Sequence, residues 1–249
     1  MALKRIAIIG GTSGIAQQCA HVWAEREAVE IILVGRNEAS LDRIVRDLKI
    51  RYPESIFSLM CSKFLEPAAI ETTVETICGS GFPDIVLIAH GSLPEQSDLE
   101  QSLALCHETL EVNGISPVLF AEAFAKRANM DTQAKIVLIG SVAGDRGRKS
   151  NYVYGAAKGL VARYAEGLQH RFARSGLRII LVKPGPTDTP MTTRFKGQGL
   201  KLARVEAVAE KIVQGIDRNK PIIYAPPKWA IIMLIIRHLP RLVFNRLNI

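Results

Sequence analysis

The chain has 249 residues, 48% of them hydrophobic, and a formal net charge of +8. A chain of this length and composition can bury a sizeable core, which excludes wholesale disorder. The charge excess lies at the C-terminal end: residues 218–249 carry six basic and no acidic side chains, whereas the other 217 residues carry 26 basic and 24 acidic ones. A nearly neutral body argues against nucleic-acid binding and indicates a local basic surface.

Cysteine usage and the N-terminal segment indicate a reducing compartment. The four cysteines are Cys19, Cys61, Cys78 and Cys106. They form no CxxC pair and no zinc-ligand spacing, so we expect neither a disulfide scaffold nor a metal site. The chain starts without a signal-peptide layout, and its longest uncharged apolar run, Trp229–Ile236, has eight residues, whereas a spanning helix needs about 20. We therefore expect a cytoplasmic protein.

Short apolar runs alternate with longer segments of helical spacing. The strand-like runs are Arg5–Ile9, Glu30–Val34, Ile56–Met60, Asp84–Ile88, Lys135–Ile139, Arg178–Val182 and Pro221–Tyr224. The helical patterns include Ile15–Arg26, Ala39–Ile50 and Val153–Arg174. This alternation predicts an α/β fold: one Rossmann domain with a seven-stranded parallel sheet and helices on both faces. We expect the domain to span 1–225, with an apolar and basic helical tail over 226–249. The segment Pro184–Ala203, rich in proline, glycine and threonine, is typical of a mobile loop.

A glycine-rich loop separates the first predicted strand from the first predicted helix. In this context glycines permit a tight turn and let the backbone approach a pyrophosphate, which the first N–H groups of the helix face. Ala16 stands where a third glycine is common and is small enough for the helix–strand contact. A plain glycine turn is the alternative. The predicted dinucleotide contacts are Gly10, Thr12, Ser13, Gly14 and Ile15.

The end of the second predicted strand indicates which dinucleotide binds. An acidic residue there would bond the ribose 2′-hydroxyl, but this chain has Arg36 and Asn37 instead. A guanidinium can pair bidentately with a 2′-phosphate. A solvated surface arginine is the alternative. We therefore expect NADP(H) as the cofactor, with Arg36 and Asn37 among its contacts.

A Tyr-x-x-x-Lys pair lies in a predicted helix. The spacing places Tyr154 and Lys158 on one helix face, where the ammonium is expected to lower the pKa of the phenol from about 10 towards neutrality. Such a tyrosine can exchange a proton with a carbonyl. Ser141 ends an apolar strand and Asn113 lies in a helical pattern. Taken singly, each signal has another explanation: the Tyr154–Lys158 spacing can arise by chance, Ser141 can be a turn residue, and Asn113 can be a buried amide.

Together these motifs resemble the classical short-chain dehydrogenase/reductase family over almost the whole chain. The matching elements are the Gly10–Ala16 loop, Asn113, Ser141, Tyr154–Lys158 and Pro184–Thr189. The resemblance implies that Tyr154 donates a proton and also contacts the cofactor, that Ser141 polarises the substrate oxygen and that Lys158 binds the nicotinamide ribose. It also implies that Asn113 holds a water in the proton relay. The residues implied to lie at the nicotinamide end are Gly91, Pro184, Gly185, Thr187 and Thr189.

Two positions depart from the family pattern. The family often has Asn-Asn-Ala-Gly after the fourth strand, and this chain has Ile88-Ala89-His90-Gly91. Gly91 keeps the close backbone approach, and His90 either lines the cofactor site or is an ordinary packed imidazole, which we favour. An acid often found near the adenine is also absent, and Lys63 stands in that segment.

The segment between Ser141 and Tyr154 borders the substrate pocket in this fold. Its three cations, Arg146, Arg148 and Lys149, suit an anionic substrate such as a phosphate. A solvated loop, or a loop that contacts another subunit, is the alternative.

The tail is apolar, with Trp229 at one end and basic flanks. This pattern favours contact of residues 228–249 with an anionic membrane surface. A helix buried in a homo-oligomer and a lid over the pocket are the alternatives.

The stretch Gly144–Lys158 and the tail resemble one branch of the family, the decaprenylphosphoryl-2-keto-ribose reductases of cell-envelope glycan precursor synthesis. That resemblance implies NADPH-dependent reduction of a keto-sugar on a polyprenyl phosphate. It also implies a partner oxidase and a peripheral position on the inner face of the membrane. One alternative is a reductase or dehydrogenase of a free lipid, such as a 3-keto acyl chain or a hydroxysteroid-like alcohol. Another is a non-catalytic, NADP-sensing scaffold. The family implies a homodimer or homotetramer.

Overall fold

The computed structural model describes residues 3–195 and 201–247, and the strands found there form a seven-stranded parallel sheet. The strands are β1 (Lys4–Ile9), β2 (Val29–Gly35), β3 (Ile56–Cys61), β4 (Ile85–Ile88), β5 (Lys135–Ile139), β6 (Arg178–Pro184) and β7 (Ile222–Ala225). Their order across the sheet is β3-β2-β1-β4-β5-β6-β7, with every neighbouring pair parallel. The predicted α/β Rossmann fold is confirmed.

Helices cover both faces of the sheet. They are α1 (Gly14–Arg26), α2 (Glu38–Arg51), α3 (Pro67–Cys78), α4 (Gln96–Gln101), α5 (Leu103–Leu110), α6 (Ser116–Arg127), α7 (Tyr152–Arg171), α8 (Val205–Asp217), α9 (Lys228–His238) and α10 (Arg241–Phe244). The helix predicted to reach Arg174 ends at Arg171, because the chain turns there. The Ser175 amide and hydroxyl both donate to the Phe172 carbonyl, at 3.0 Å each.

The central strands are apolar at consecutive positions because both of their faces are buried. In β1, Ile6 and Ile8 belong to one hydrophobic cluster together with Trp23 of α1. Ala7 and Ile9 point the other way, into a cluster with Phe120 of α6 and its neighbours. Alternate side chains of a strand leave opposite faces of the sheet, so an unbroken apolar run fills two helix–sheet layers.

The strand order reverses between β1 and β4. The first three strands extend the sheet in one direction and the last four in the other, while Ile9 of β1 pairs directly with Ile88 of β4. Helices that follow these two strands diverge to opposite faces, which opens a crevice beyond the carboxyl ends of the strands. The glycine loop and Gly91 both lie at this reversal.

The tail forms helices α9 and α10 on the outside of the domain. Met233 is fully buried, whereas Ile231, Leu234 and Ile235 are 58–66% exposed. In the described part of the chain no helix is both long and apolar enough to cross a membrane. In the predicted loop Pro184–Ala203, a 3₁₀ turn covers Pro190–Phe195, and residues 196–200 lie outside the described residues.

Candidate active site

The glycine loop joins β1 to α1 in a conformation that only glycine adopts without strain. Gly10 has a φ of +93°, and a Cβ there would lie 2.6 Å from the His90 backbone nitrogen. Its amide and that of Gly11 both donate to the Val34 carbonyl at 2.9 Å, which ties the loop to β2. Helix α1 begins at Gly14, and Ser13 makes no side-chain cap, so the helix N-terminus is available to an anion.

A cavity of about 560 Å³ opens beyond the carboxyl ends of β1, β4, β5 and β6. It brings together all the predicted glycine-loop contacts, the four predicted catalytic residues and all five predicted nicotinamide contacts. These wall residues are Gly10, Thr12, Ser13, Gly14, Ile15, Gly91, Asn113, Ser141, Tyr154, Lys158, Pro184, Gly185, Thr187 and Thr189.

The two predicted cofactor contacts after β2, Arg36 and Asn37, have different surroundings in the structure. Arg36 lies in the cavity wall. Asn37 is the N-cap of α2, where its side-chain oxygen accepts a hydrogen bond from the Ser40 amide at 2.8 Å. That oxygen pairs with a backbone N–H group that has no partner within the helix, so Asn37 has a structural role here.

Glycine contacts fix Ser141 relative to Tyr154. Ser141 caps a 3₁₀ turn, Val142–Asp145, which lies against α7. A Cβ on Gly144 would lie 2.7 Å from the Lys158 carbonyl carbon, and one on Gly155 would lie 2.9 Å from the Ala143 oxygen. The turn and the helix are therefore in backbone-to-backbone contact, and the Ser141 side chain lies close enough to the Tyr154 phenol to lower its pKa.

Burial controls the protonation of the Tyr154–Lys158 pair. Desolvation raises the pKa of Tyr154 to about 12, and the hydrogen bond with Ser141 opposes that rise. Desolvation also lowers the pKa of Lys158 to about 8. The Lys158 amine lies 5.8 Å from the Tyr154 ring centroid and donates to the Ile139 carbonyl at 3.1 Å. The expectation that the ammonium lowers the tyrosine pKa is therefore wrong in this structure, because desolvation raises that pKa and the opposing interaction comes from Ser141.

Asn113 lies in a single π-helical turn, Glu111–Ile115, rather than in regular α-helix. Such turns recur at functional sites. The buried Asn113 amide nitrogen donates to the Thr109 carbonyl at 2.9 Å, and its oxygen accepts from the Ser92 amide at 3.0 Å. A Cβ on Gly91 would lie 2.7 Å from that oxygen, which explains the glycine.

His90 both packs in the core and lines the cavity. Its Nε2 lies 2.9 Å from the Ser116 hydroxyl, which itself donates to the Phe64 carbonyl at 2.6 Å. The ring meets Phe64 and Phe120 edge-on, with centroids 4.7 and 5.6 Å apart. Burial, and then the charge of Lys158, lower the pKa of His90 to about 3, so the ring is neutral. Sequence patterns did not indicate this cluster, because its members come from three distant segments.

The three cations after Ser141 have different surroundings. Arg148 lines the cavity, whereas exposed Lys149 lies outside its wall. Arg146 turns away: its guanidinium donates to the Ile236 and Leu239 carbonyls at 2.5 and 2.7 Å, at the end of α9. The expectation that all three form one substrate-binding group is therefore corrected, because Arg146 satisfies the carbonyls of a helix C-terminus.

Trp229, the second residue of α9, was not among the predicted site residues. It lines the cavity, and its indole lies directly against Gly185 at the end of β6. A Cβ on Gly185 would overlap the indole, so this glycine is required for the close approach. The edge tryptophan of the tail was the only sequence signal.

A buried ion pair anchors the 3₁₀ turn to the sheet. The Lys183 amine lies 2.5 Å from an Asp145 carboxylate oxygen, and the other oxygen accepts from the Tyr224 hydroxyl at 2.8 Å. The side chains of Asp145 and Lys183 are 3% and 5% exposed. Burial and the Asp145 hydrogen bond raise the pKa of Tyr224 to about 12. The pair joins the turn after Ser141 to the ends of β6 and β7.

Comparisons with known proteins agree with this geometry. The family model for short chain dehydrogenase matches residues 4–198. A Streptomyces coelicolor protein described as an uncharacterized oxidoreductase in the mprA 5′ region is 24% identical over 244 residues, which cover 98% of this chain and 96% of the relative.

Two solved structures share the fold. A short-chain dehydrogenase from Sphingobium yanoikuyae in complex with NADPH has a TM-score of 0.81 at 22% identity, covering 96% of this chain and 97% of that one. A bulky-bulky ketone specific alcohol dehydrogenase from Comamonas testosteroni has a TM-score of 0.79 at 19% identity, covering 97% and 96%. Because the family model covers most of the sequence, the predicted family and oxidoreductase class are confirmed, and the chain belongs to the short-chain dehydrogenase family.

Proposed function

We propose that this protein is an NADPH-dependent ketone reductase. The observation that carries the proposal is the position of Ser141, Tyr154 and Lys158, which line one cavity together with the glycine loop. The Ser141 side chain lies close enough to the Tyr154 phenol to lower its pKa, and the Lys158 side chain is buried beside them. This arrangement provides a proton donor, a group that polarises a carbonyl and a cation at a dinucleotide site.

The residues present fit NADPH. Gly10 has no room for a side chain, and the uncapped N-terminus of α1 suits a pyrophosphate. Arg36 lies in the cavity wall, and the residue directly after β2 is this arginine rather than an acid that could bond a ribose 2′-hydroxyl. We assign the pyrophosphate to the glycine loop, the 2′-phosphate to Arg36, and the nicotinamide end to Lys158 and Thr187. The NADPH held by the Sphingobium relative supports this assignment.

When bound, NADPH supplies a hydride. Tyr154 holds the proton at its hydroxyl, because burial keeps the phenol protonated at physiological pH. The Ser141 oxygen accepts from the Ala143 amide at 3.1 Å, and its hydroxyl hydrogen, which stabilises the Tyr154 oxygen in the free protein, would turn to a substrate carbonyl. As a C–H bond forms at the carbonyl carbon, the π electrons move to oxygen, which takes the Tyr154 proton and becomes an alcohol.

We propose a keto-pentose on a polyprenyl phosphate as the substrate, supplied by a partner oxidase. Arg148 in the wall suits an anionic group, and Leu93, Met191 and Trp229 provide apolar surface in the same cavity. The cavity of about 560 Å³ must also take NADPH, so at most the sugar head, and not a long prenyl chain, fits beside the cofactor. The bulky-ketone specificity of the Comamonas relative supports a roomy site. The apolar lining favours a free lipid ketone as the second candidate.

We place catalysis in residues 1–225 and lipid contact in the tail, 226–249. The outer face of α9 exposes Ile231, Leu234 and Ile235, and residues 218–249 carry no acidic side chain. An apolar face with a basic rim matches the headgroup region of an anionic membrane. The protein would then be peripheral on the cytoplasmic face, as a homodimer or homotetramer of the kind common in the family.

The decisive experiment measures NADPH oxidation by the wild type and by Tyr154→Phe. We expect the wild type to reduce a prenyl-phosphate keto-pentose faster than free 3-keto acyl chains or steroid ketones, and to bind NADPH more tightly than NADH. Tyr154→Phe should lower kcat about a thousandfold at unchanged NADPH affinity, because it removes only the proton donor. Tyr152→Phe, at an exposed tyrosine on the same helix, is the matched control. Full cellular function in cells that carry only Tyr154→Phe would favour the NADP-sensing scaffold instead.

A further inference from the structure

Apart from Nδ1 of His90, two buried polar atoms in the cavity wall have no hydrogen-bond partner within the described ranges. They are the Nε atom of Arg148 and the Oδ1 atom of Asn151. Both residues line the cavity and lie in the loop that leads into α7. Buried polar atoms are normally paired, so each such atom needs an explanation.

The rest of this loop shows that the missing partners are specific to these two residues. Asp145 is paired with Lys183 and Tyr224, and Arg146 is bonded to the end of α9. Burial lowers the pKa of the Arg148 guanidinium, and no carboxylate described in the structure opposes that effect. A partly buried cation without a counter-charge is unfavourable, which a bound anion would relieve.

The chemistry of the two atoms defines the ligand. A guanidinium can donate through Nε and a terminal nitrogen to two oxygens of one anion. The Asn151 oxygen accepts, and therefore fits a hydroxyl group rather than a second anionic oxygen. Asn151 is the N-cap of α7, and Tyr154 follows within the first turn of that helix, at a rise of about 1.5 Å per residue. A ligand held by both residues would place its anion and hydroxyl close to the reacting carbonyl.

We propose that Arg148 and Asn151 form a subsite for an anionic group with a neighbouring hydroxyl, the pair of groups that a phosphate ester of a sugar provides. This inference rests on the proposed function for the reaction, but it assigns recognition to two residues outside the catalytic set. It also separates Arg148 from Lys149, which lies outside the cavity wall.

The test uses NADPH-saturated protein and calorimetric titration with two matched probes. One is farnesylphosphoryl ribofuranose, and the other is farnesyl ribofuranoside, which lacks the phosphate. The wild type should bind the phosphodiester at least tenfold more tightly. Arg148→Met should abolish that preference, whereas Lys149→Met, which removes the same charge one residue away, should keep it. Asn151→Ala should weaken both probes severalfold and leave the preference intact, since a hydroxyl is present in each.

A preference that survives in Arg148→Met, or no preference in the wild type, would overturn the subsite. Loss of the preference in Lys149→Met to the same extent would also overturn it, because a general surface field would then explain binding. NADPH oxidation with both ketone forms is measured in parallel. If no ketone is reduced while the probe preference depends on Arg148, the proposed reaction fails and the subsite stands.

Discussion

The cavity has two walls that are held in place by different means. The catalytic wall, formed by Ser141, Tyr154 and Lys158, rests on backbone contacts between α7 and the turn Val142–Asp145, where glycines leave no room for a Cβ. The tail wall, formed by Trp229 and helix α9, depends on the Arg146 guanidinium. The first cannot shift without moving a helix backbone, whereas we expect a change of the Arg146 side chain alone to weaken the second.

The same turn serves both walls. Ser141 caps its start, Asp145 at its end is buried with Lys183, and Arg146 follows directly. The Arg146 guanidinium also stacks on Phe244 of α10 at 3.8 Å from the ring centroid. A displacement of the tail wall would therefore pull on the turn Val142–Asp145, which Ser141 caps. The buried Asp145–Lys183 pair is the contact that resists this movement.

The largest effect on stability is expected from the two buried lysines. The folded-state pKa of Lys158 is about 8, below its ordinary value of 10.5, so folding penalises the charged amine. The penalty is full below pH 8, falls between pH 8 and 10.5 as the folded protein releases its proton first, and is absent above that range. Lys158→Met should therefore abolish activity yet raise the free energy of unfolding at pH 7 by about 2–3 kcal/mol.

Lys183→Met is the matched control in that experiment, because Lys183 is equally buried but paired. Its removal leaves the Asp145 carboxylate buried without a cation, which should destabilise the protein by about 3–5 kcal/mol. Urea unfolding at pH 7 and at pH 10.5 measures the change in the free energy of unfolding for both variants. A Lys158→Met variant that is no more stable than the wild type at pH 7 would contradict the unpaired-charge interpretation.

The catalytic wall could be predicted from the sequence because its signals are local. Consecutive apolar residues in β1 revealed strands buried on both faces, and the four-residue spacing of Tyr154 and Lys158 placed both on one helix face. The glycine loop followed its strand directly. Each of these patterns depends on neighbours within about one turn or one strand.

The tail wall could not be predicted in the same way, because its contacts join distant segments. Arg146 meets a carbonyl 90 residues further along the chain, and Gly185 lies against the indole of Trp229. The pattern of three nearby cations gave no means of telling Arg146 from Arg148. The Tyr154–Lys158 spacing likewise did not reveal that burial raises the pKa of Tyr154, since desolvation depends on the packed surroundings.

A smaller effect is expected at the tail wall. Arg146→Met removes the charged donors at the end of α9, which should weaken the docking of that helix by about 2 kcal/mol. Amide hydrogen exchange in α9 should then accelerate about thirtyfold, while exchange in β5 stays unchanged. The KM for the ketone should rise more than kcat falls. Arg171→Met, at another arginine stacked on a phenylalanine, is the control. Unchanged exchange in α9 would show that Arg146 does not hold the tail wall.

The smallest effect on folding, and the most specific one, is expected on the outer face of α9. Leu234 is 58% exposed, so Leu234→Glu should change the free energy of unfolding by no more than about 0.5 kcal/mol. It places a carboxylate in the middle of an apolar face with a basic rim, and should therefore abolish flotation with anionic liposomes. Leu103→Glu makes the same change at a side chain that is 89% exposed on another helix, and should float as the wild type does. If both variants float equally well, the tail does not contact the membrane. If neither variant floats, the net charge of the protein alone governs its binding to liposomes. The catalytic wall and the tail wall would then differ in how they are held in place, but not in contact with a membrane.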